Sequence, residues 1–450
     1  MADANASVEQ KHRKAGTPGV QTKLGLWATL RAMRHRNFQL FFSGQLISLI
    51  GTWMQSIAQD WLVYRLTGSS LLLGLVAFVG QIPVLILAPV AGLVADRRNR
   101  HRTVITTQVA SMVLALILAA LTLAKIVHVW EIMVLATLLG IVNAFDVPAR
   151  QSFLIDMVGR EDLLNAIALN SSMYNGARVI GPAIAGILVA SIGEGWCFFA
   201  NGVSYIAVIT GLLLMRLDRP GALQRAGSAL ENIVEGFRFA RHAAPVRALL
   251  LMVGLVSLTT MPYLVLMPIF ANRVLHGDAR TLGLLMGATG IGALAGGLTL
   301  ASKRGVDGLG RWVWIAAMSL GASLILFSLS RHLWLSILFL VPAGFAMLIQ
   351  MGSSNTLLQV MVPDRLRGRV MALYSMMLIG VGPIGALLGG ALAAKIGAPR
   401  TVAIGGVASL AGGAVFARLL PALRGPARQL IREQGLTLEQ PPDSVPIPRP

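Results

Sequence analysis

Long apolar segments separated by short polar ones dominate the pattern along the chain. A membrane-spanning helix needs about 20 consecutive apolar residues, and segments of this kind recur twelve times. They lie at roughly 37–64, 71–95, 103–124, 132–147, 163–193, 195–215, 248–272, 281–302, 312–330, 333–361, 370–394 and 401–417. Because an isolated span must satisfy its own backbone hydrogen bonds, each segment is predicted to be a helix. The pattern therefore predicts an all-α integral membrane protein with twelve transmembrane helices.

Composition and charge agree with a membrane protein. Of 450 residues, 55% are hydrophobic and 13% are charged, which is too apolar for a water-soluble surface. If both termini lie in the cytoplasm, 30 Lys and Arg residues fall in the tails and cytoplasmic loops, against 7 in the loops on the other side. This asymmetry predicts a multi-pass protein of the inner (plasma) membrane with cytoplasmic termini. It explains the net charge of +19 without a nucleic-acid partner, and anionic membrane lipids are expected as a further partner of the basic loops.

Neither a cofactor nor a metal ion is predicted. The chain has one cysteine, Cys197, and its seven His residues lie in tails, loops or the edges of spans. A haem or metal centre inside the membrane would need such ligands within the spans. The first 36 residues lack an apolar signal-peptide region, so the first span is expected to direct its own insertion.

The chain contains an internal repeat. Residues 153–193 and 357–397 match at 15 positions without a gap, so spans five and eleven resemble copies. Six spans return the chain to its starting side, which makes the halves parallel repeats. The predicted division is a tail (1–36), two six-helix halves (37–216 and 248–420), a cytoplasmic linker (217–247) and a disordered tail (421–450). The linker contains an amphipathic helix at 230–242. Two complete halves need no partner, which predicts a monomer.

Several segments resemble the major facilitator superfamily. The loop after span two reads G-x-x-x-D-R-x-x-R, with Gly92, Asp96, Arg97 and Arg100. GQLISLIGTWMQSIAQDWLVYRLTGSS (44–70), AFDVPARQSF (144–153), NAIALNSSMYNGARVIGPAIAG (165–186) and VPDRLRGRVMALYSM (362–376) are similar to bacterial enterobactin and macrolide exporters. The resemblance extends over roughly residues 35–420. It implies a proton-coupled efflux carrier that works by alternating access.

The acid in this loop is expected to act in gating. Asp96 ends span two on the side where span eleven begins near 365–370, and a carboxylate is stabilised by the N-terminus of a helix. Asp146 is predicted to end span four on the same side and to pair with Arg97 or Arg100. The alternative is that these are solvated charges that anchor the helix ends.

One cation is predicted inside the membrane. Arg178 lies near the middle of span five, where an Arg costs about 2.5 to 3.5 kcal/mol. Asn170, Tyr174 and Arg178 recur every four residues and share one helix face. We expect Arg178 to bind or couple substrate in a cavity lined by Asn170 and Tyr174. The alternative is that it pairs with carbonyls or a carboxylate and only holds helices together.

Span one carries a polar stripe. Its members recur every three or four residues: Gln45, Ser48, Thr52, Gln55 and Gln59. Such a stripe faces water or protein rather than lipid, and Gln55 and Gln59 are expected to line the cavity. The neighbouring acid, Asp60, is the candidate proton carrier. The alternative places Asp60 at the outer headgroups, paired with Arg65.

Two Gly-Pro pairs are expected to permit helix bending. Gly181-Pro182 and Gly382-Pro383 lie in segments that resemble the antiporter signature of the superfamily. Glycine allows close helix approach, and proline weakens the backbone hydrogen-bond ladder. Ordinary packing is the alternative for the glycines.

Three functional classes compete: a secondary exporter, an importer and a membrane enzyme. An enzyme would need a constellation such as H-E-x-x-H or G-x-S-x-G, and neither occurs. An importer on the same fold is the competing interpretation, because a fold does not set direction. The Gly-Pro signature on span five favours export. A nearly balanced cavity charge admits a small amphipathic molecule, such as a drug or a siderophore.

Overall fold

Long helices account for the fold. The structure, a computed structural model, describes residues 30–97, 99–216, 229–303 and 305–434. For residues 88, 89, 92–97 and 229–234 it describes the helical backbone but not the side chains. The first half contains α1 (Arg36–Thr67), α2 (Ser70–Arg97), α3 (Arg100–Leu123), α4 (Val129–Val158), α5 (Leu163–Ile192) and α6 (Glu194–Leu213). The linker contains α7 (Ala229–His242). The second half contains α8 (Ala244–Val274), α9 (Ala279–Ser302), α10 (Leu309–Leu329), α11 (Leu333–Met361), α12 (Asp364–Ile396) and α13 (Ala398–Glu433).

The prediction of an all-α integral membrane protein is confirmed, with one difference in the spans. Eleven helices of the described residues are long and apolar enough to cross a membrane. The first predicted span is different, because α1 has 32 residues but falls short in apolar composition. Its polar stripe, which includes Gln45 and Gln55, is the reason. A polar helix crosses a bilayer only when other helices cover it.

The helices pack as two groups of six. In the first group α1 packs against α6, and α2 against α4. In the second, α9 packs against α11, and α10 against α13. The two groups meet along two helix pairs, α5 with α9 and α2 with α12. We call the side where α1 begins and α13 ends the terminal side, and the other the opposite side.

Two helices at the interface between the groups are irregular. In α8 the chain passes Pro262 and Pro268 and ends in a π-helical turn, Phe270–Val274. In α12 a π-helical turn at Met376–Gly380 precedes Pro383. The Ser257 hydroxyl of α8 donates a hydrogen bond to the Leu378 carbonyl in that turn, at 2.7 Å. Such turns, like prolines, are local causes of helix bending.

The segments outside the spans differ partly from expectation. The amphipathic helix predicted at 230–242 is observed as Ala229–His242. The disordered tail predicted from 421 is wrong for its first part, because α13 continues through Pro421 and Pro426 to Glu433. Ile431 near its end is only 4% exposed, so packing against the protein stabilises the extension. Residues 435–450 lie outside the described residues.

Candidate functional site: the interface between the two halves

Glycines bring α5 and α9 into direct backbone contact on the opposite side. A Cβ atom added at Gly283 would lie 2.8 Å from the Gly186 Cα and 2.9 Å from the Pro182 carbonyl oxygen. Gly290 lies opposite Val179, so the two helices run antiparallel in one register. Small residues permit this close approach in membrane helices. This interface closes the first half against the second.

A second pair of helices, α2 and α12, is packed in the same way. A Cβ added at Gly74 would overlap the Ala386 carbonyl oxygen, and one added at Gly390 would lie 2.5 Å from the Ser70 carbonyl oxygen. Farther along, Gly380 faces the Leu85 side chain. The register is again antiparallel. Both closed interfaces therefore involve the parts of the helices nearer the opposite side.

Polar contacts reinforce this closure. The Tyr64 hydroxyl of α1 donates to the Asn272 Oδ1 atom of α8 at 2.9 Å. The Arg273 guanidinium donates to the Gly68 carbonyl at 3.0 Å and lies 5.8 Å from the centroid of the Tyr64 ring. These contacts join the end of α1 to the end of α8. They were not predicted, because the hydrogen-bonded partners are 208 and 205 positions apart in the sequence.

On the terminal side, the first segment of α12 (Asp364–Ser375) packs against the linker helix α7. The Glu235 carboxylate forms ion pairs with Arg365 and Arg369. A Cβ added at Gly236 would lie 3.0 Å from the Arg369 Cβ, so the two helices touch there. The backbone of α2 is helical to Arg97, but the side chains of the predicted gating residues Gly92, Asp96 and Arg97 lie outside what the structure describes.

Arg178 belongs to an aromatic cluster between α1 and α5. Its guanidinium carbon lies 5.7 Å from the centroid of the Trp53 ring, and Tyr174 meets the same ring edge-on at 5.6 Å. Arg178 is also within electrostatic reach of Tyr263, a buried residue of α8 in the other half. Within the described residues no carboxylate lies at ion-pair distance from Arg178. A half-buried guanidinium over an aromatic face keeps donors free for a ligand.

Asp60 lies on the same face of α1 as this cluster. Trp53, Ser56 and Asp60 are spaced i, i+3 and i+7, which puts Asp60 roughly 10 Å along the helix from Trp53. Asp60 is half-buried and has no hydrogen bond or ion pair to another described residue. Trp53 was not among the predicted site residues, although its spacing of seven residues from Asp60 indicates that both lie on one face of α1. Asn170 is half-buried on the face of α5 that carries the 45% exposed Tyr174.

The expectation that Gln55 lines a cavity is wrong. Gln55 is 7% exposed, and its Oε1 atom accepts a hydrogen bond from Asn201 of α6 at 2.7 Å. Thr52 contacts the Tyr205 hydroxyl of α6 at 3.4 Å. The polar stripe of α1 therefore faces another helix of its own half. Gln59, which continues the stripe, is half-buried.

The alternative partner proposed for Asp60 is also wrong. Arg65 pairs with Glu194 at the start of α6, with N–O distances of 2.7 and 3.2 Å. Two parallel bonds of this kind fix the guanidinium geometry. Arg65 therefore forms an ion pair that joins α1 to α6 within the first half.

Asp146 does not pair with Arg100, which is a correction to the predicted gating cluster. Asp146 is 3% exposed and accepts hydrogen bonds from Thr107 at 2.7 Å and Gln108 at 2.9 Å on α3. Its other oxygen lies 3.2 Å from the Arg150 Nε atom. Arg100 pairs instead with Asp156 at 3.2 Å. Asp146 therefore connects α3 and α4 inside the first half.

This buried network gives a testable stability prediction. Asp146→Ala should lower the free energy of unfolding by about 3–5 kcal/mol, because it removes a buried carboxylate and leaves its donors Thr107 and Gln108 and the 20% exposed Arg150 without their acceptor. Asp156→Ala, on the same helix but partly exposed, should cost less than about 1 kcal/mol. Thermal unfolding of both variants in detergent would measure the difference. Equal losses would contradict the assignment of Asp146 as the structural carboxylate.

A separate ionic cluster holds the terminal-side end of α5. Asp162, which precedes α5, lies 2.7 Å from the Arg31 Nε atom and 2.8 Å from the His35 Nε2 atom. The hydrogen bond from His35, with the Arg31 charge, lowers the pKa of the Asp162 carboxyl below its usual 3.8. The Asn165 side chain also accepts a hydrogen bond from the Ala32 backbone at 2.8 Å. These contacts attach the segment before α1 to the start of α5.

The two Gly-Pro pairs occupy helix contacts. A Cβ added at Gly181 would lie 2.5 Å from the Trp53 Cβ, so this glycine lets α5 approach α1 beside the aromatic cluster. The next carbonyl, that of Pro182, faces Gly283 of α9. Gly382 faces the Ser257 hydroxyl, and Pro383 is buried directly after the π-helical turn of α12. Among the described residues, no group of three His, Cys, Asp or Glu could hold a metal ion.

Comparison with known proteins identifies relatives over most of the chain. The chain is 26% identical over 373 residues to the staphyloferrin A transporter of Staphylococcus aureus, which covers 82% of this chain and 93% of the relative. It is 28% identical over 361 residues to the multidrug efflux pump Tap of Mycolicibacterium fortuitum, which covers 78% and 88%. The predicted resemblance to bacterial exporters is confirmed.

Solved structures agree on the fold. A bacterial homologue of the human lysosomal transporter Spinster, in an inward-facing and unoccupied conformation, covers 88% of this chain and 97% of its own at 17% identity, with a TM-score of 0.63. The family model described as transmembrane secretion effector matches residues 27–439. The chain therefore belongs to the transmembrane secretion effector family of the major facilitator superfamily.

Proposed function

We propose that the protein exports a small amphipathic molecule in exchange for protons by alternating access. The proposal rests on the closure of the two halves on the opposite side, through the α5–α9 and α2–α12 interfaces. If the halves rock about this interface, a cavity between them opens alternately to each side. The positive-inside asymmetry supports a cytoplasmic terminal side, and the conformation described would then be open to the cytoplasm.

Arg178 and Trp53 supply the proposed binding surface. A guanidinium offers donors to an anionic or polar group, and the aromatic rings of Trp53 and Tyr174 offer contact to apolar or aromatic parts. An amphipathic molecule satisfies both. The staphyloferrin A transporter and the multidrug efflux pump Tap agree with a siderophore or a drug as the substrate class.

Asp60 is the proposed proton carrier. Its carboxylate lies on the face of α1 that carries Trp53 and is free of the ion pairs that engage Asp146 and Asp162. A carboxylate that no cation neutralises binds a proton more readily once water is excluded. Alternate exposure of Asp60 would therefore couple proton movement to substrate movement.

Asp96 is the proposed terminal-side gate. The antiparallel register of α2 and α12 sets Gly74 opposite Gly390 and Leu85 opposite Gly380. Continued along both helices, this register would bring position 96 to the first turns of α12 when the terminal side closes. There Glu235 of the linker helix now pairs with Arg369. We expect Asp96 to engage this end of α12 when the terminal side closes, stabilised by the helix N-terminus.

Proton coupling is tested in proteoliposomes. Untargeted metabolite profiling of cells and medium, with and without the gene, would first supply a transported compound. Its export should follow an imposed pH gradient and stop with a protonophore. Asp60→Asn should remove the dependence on the gradient. Asp278→Asn is the matched control, because it removes one charge near the same membrane face while Asn still caps α9.

Three outcomes would contradict the proposal. Transport that ignores the gradient but requires ATP would exclude a secondary carrier. Substrate movement in the opposite direction, driven by the same gradient in protein of the same orientation, would indicate an importer. Full coupling in Asp60→Asn would assign the proton to another group.

A further inference from the structure

A half-open cavity lies inside the second half, away from the interface between the halves. Its volume is about 480 Å³, and it opens on the terminal side between α8, α10, α11 and α13. Its apolar wall is made by Leu249, Met361, Phe416, Leu420, Leu423 and Ile431. This volume is in the usual range for ligand cavities.

The edge of this cavity is positively charged. Arg311, Arg424 and Arg428 line it together with a single acid, Asp307. None of these four side chains has an ion pair or a hydrogen bond within the part of the chain that the structure describes. Three guanidinium groups against one carboxylate leave an excess of positive charge. An anionic group would complement this edge.

Neighbouring residues place the cavity at the level of a membrane surface. The Lys303 ammonium lies 4.3 Å from the centroid of the Trp312 ring, next to Gly308 at the cavity edge. Trp rings are enriched at the boundary between hydrocarbon and water, and Lys side chains near helix ends extend their ammonium group to it. The end of α13, from Leu420 to Ile431, folds its apolar side over the cavity and carries Arg424 and Arg428 at its edge. An occupant here would have its apolar part in the protein and its charge at the headgroup level.

We propose that this cavity binds an acidic phospholipid. The phosphate would lie among Arg311, Arg424 and Arg428, and part of an acyl chain would enter the apolar cavity. Basic pockets between membrane helices recognise anionic headgroups by this combination of charge and shape. A free phosphate would satisfy the edge but leave the apolar wall uncovered, which favours a lipid. Bound lipid would hold the end of α13 against α8 and α10.

Native mass spectrometry of the full-length protein in detergent, with phosphatidylglycerol as the probe, tests this site. Arg424→Gln/Arg428→Gln should weaken phosphatidylglycerol binding by about 30-fold, given the attraction of each cation to an acidic surface. Arg418→Gln/Arg432→Gln is the matched control, because it removes two charges from the same helix at positions that do not line the cavity. The control should bind like the parent. Both pairs of arginines are exposed, so neither change threatens folding.

Two further experiments distinguish binding of the acyl chain in the cavity from binding of a phosphate group alone. Ala427→Phe fills the cavity and keeps every arginine, so it should also weaken phosphatidylglycerol binding. Inorganic phosphate and glycerol phosphate should not compete with the lipid. Four results would each overturn the proposal. They are an equal loss of phosphatidylglycerol binding in the control variant, equal binding of phosphatidylcholine, effective competition by phosphate, and unchanged lipid binding in Ala427→Phe.

Discussion

Replacing Arg178 by Ala is expected to lower transport about 10- to 150-fold, because a hydrogen bond to a charged group is worth about 1.5–3 kcal/mol. The protein should still insert and remain monodisperse, since no described carboxylate depends on Arg178 for its charge balance. The Trp53 ring would lose only its stacked cation. Substrate transport by purified protein in proteoliposomes, compared with unfolding temperature, measures both effects.

Arg178→Lys is the control for this prediction. Lys retains a positive charge near Trp53 but lacks the planar fork of donors. Partial transport by the Lys variant would indicate that charge is the main contribution, and loss equal to that of the Ala variant would indicate geometry. Normal transport by Arg178→Ala would contradict a role in substrate binding and leave Arg178 as a residue that only connects α1 and α5.

Gly283→Ala is expected to shift the protein away from the conformation closed on the opposite side. The added Cβ would meet the Gly186 Cα and the Pro182 carbonyl oxygen, both backbone atoms that cannot rotate aside. Overpacking of this kind costs about 1–3 kcal/mol, which corresponds to about a 5- to 150-fold change in the population of that conformation. Transport should fall because one of the two states becomes scarce.

Gly287→Ala is the matched control, one helical turn farther along α9. A Cβ added there has no heavy atom within 4 Å. Both substitutions add the same methyl group and the same helix propensity, so the comparison isolates the α5–α9 contact. Distance measurements between labelled helices would report the shift. Equal behaviour of the two variants would contradict the assignment of this contact as a closed interface.

Sequence patterns predicted most helices because apolar length is a local property. The same holds for α7, whose helical spacing is visible in 14 residues. Helix α1 was harder, since its polar stripe satisfies the spacing of an amphipathic helix but does not specify which neighbour covers it. The structure places α6 there, through Asn201 and Tyr205. A helical period therefore identifies a face and leaves its partner open.

Charge pairing was predicted less well, because the partners are set by tertiary packing. Asp146 was assigned to loop arginines by proximity along the membrane face, whereas Thr107 and Gln108 of α3 hold it inside the first half. The end of α13 was misjudged for a related reason. Pro421 and Pro426 argue against a helix locally, but burial of Ile431 keeps the segment helical.

Two label pairs, measured in the same protein, test alternating access most directly. In a Cys197→Ser background, labels at Leu164 and Ser302 report the terminal-side ends of α5 and α9, and labels at Ile192 and Arg280 report the opposite side. Distances would be measured in nanodiscs at acidic and alkaline pH, with and without the transported compound. We expect opposite changes, with the distance of one pair shortening as that of the other lengthens. Distances that change in the same sense, or stay fixed in protein that transports, would contradict alternating access.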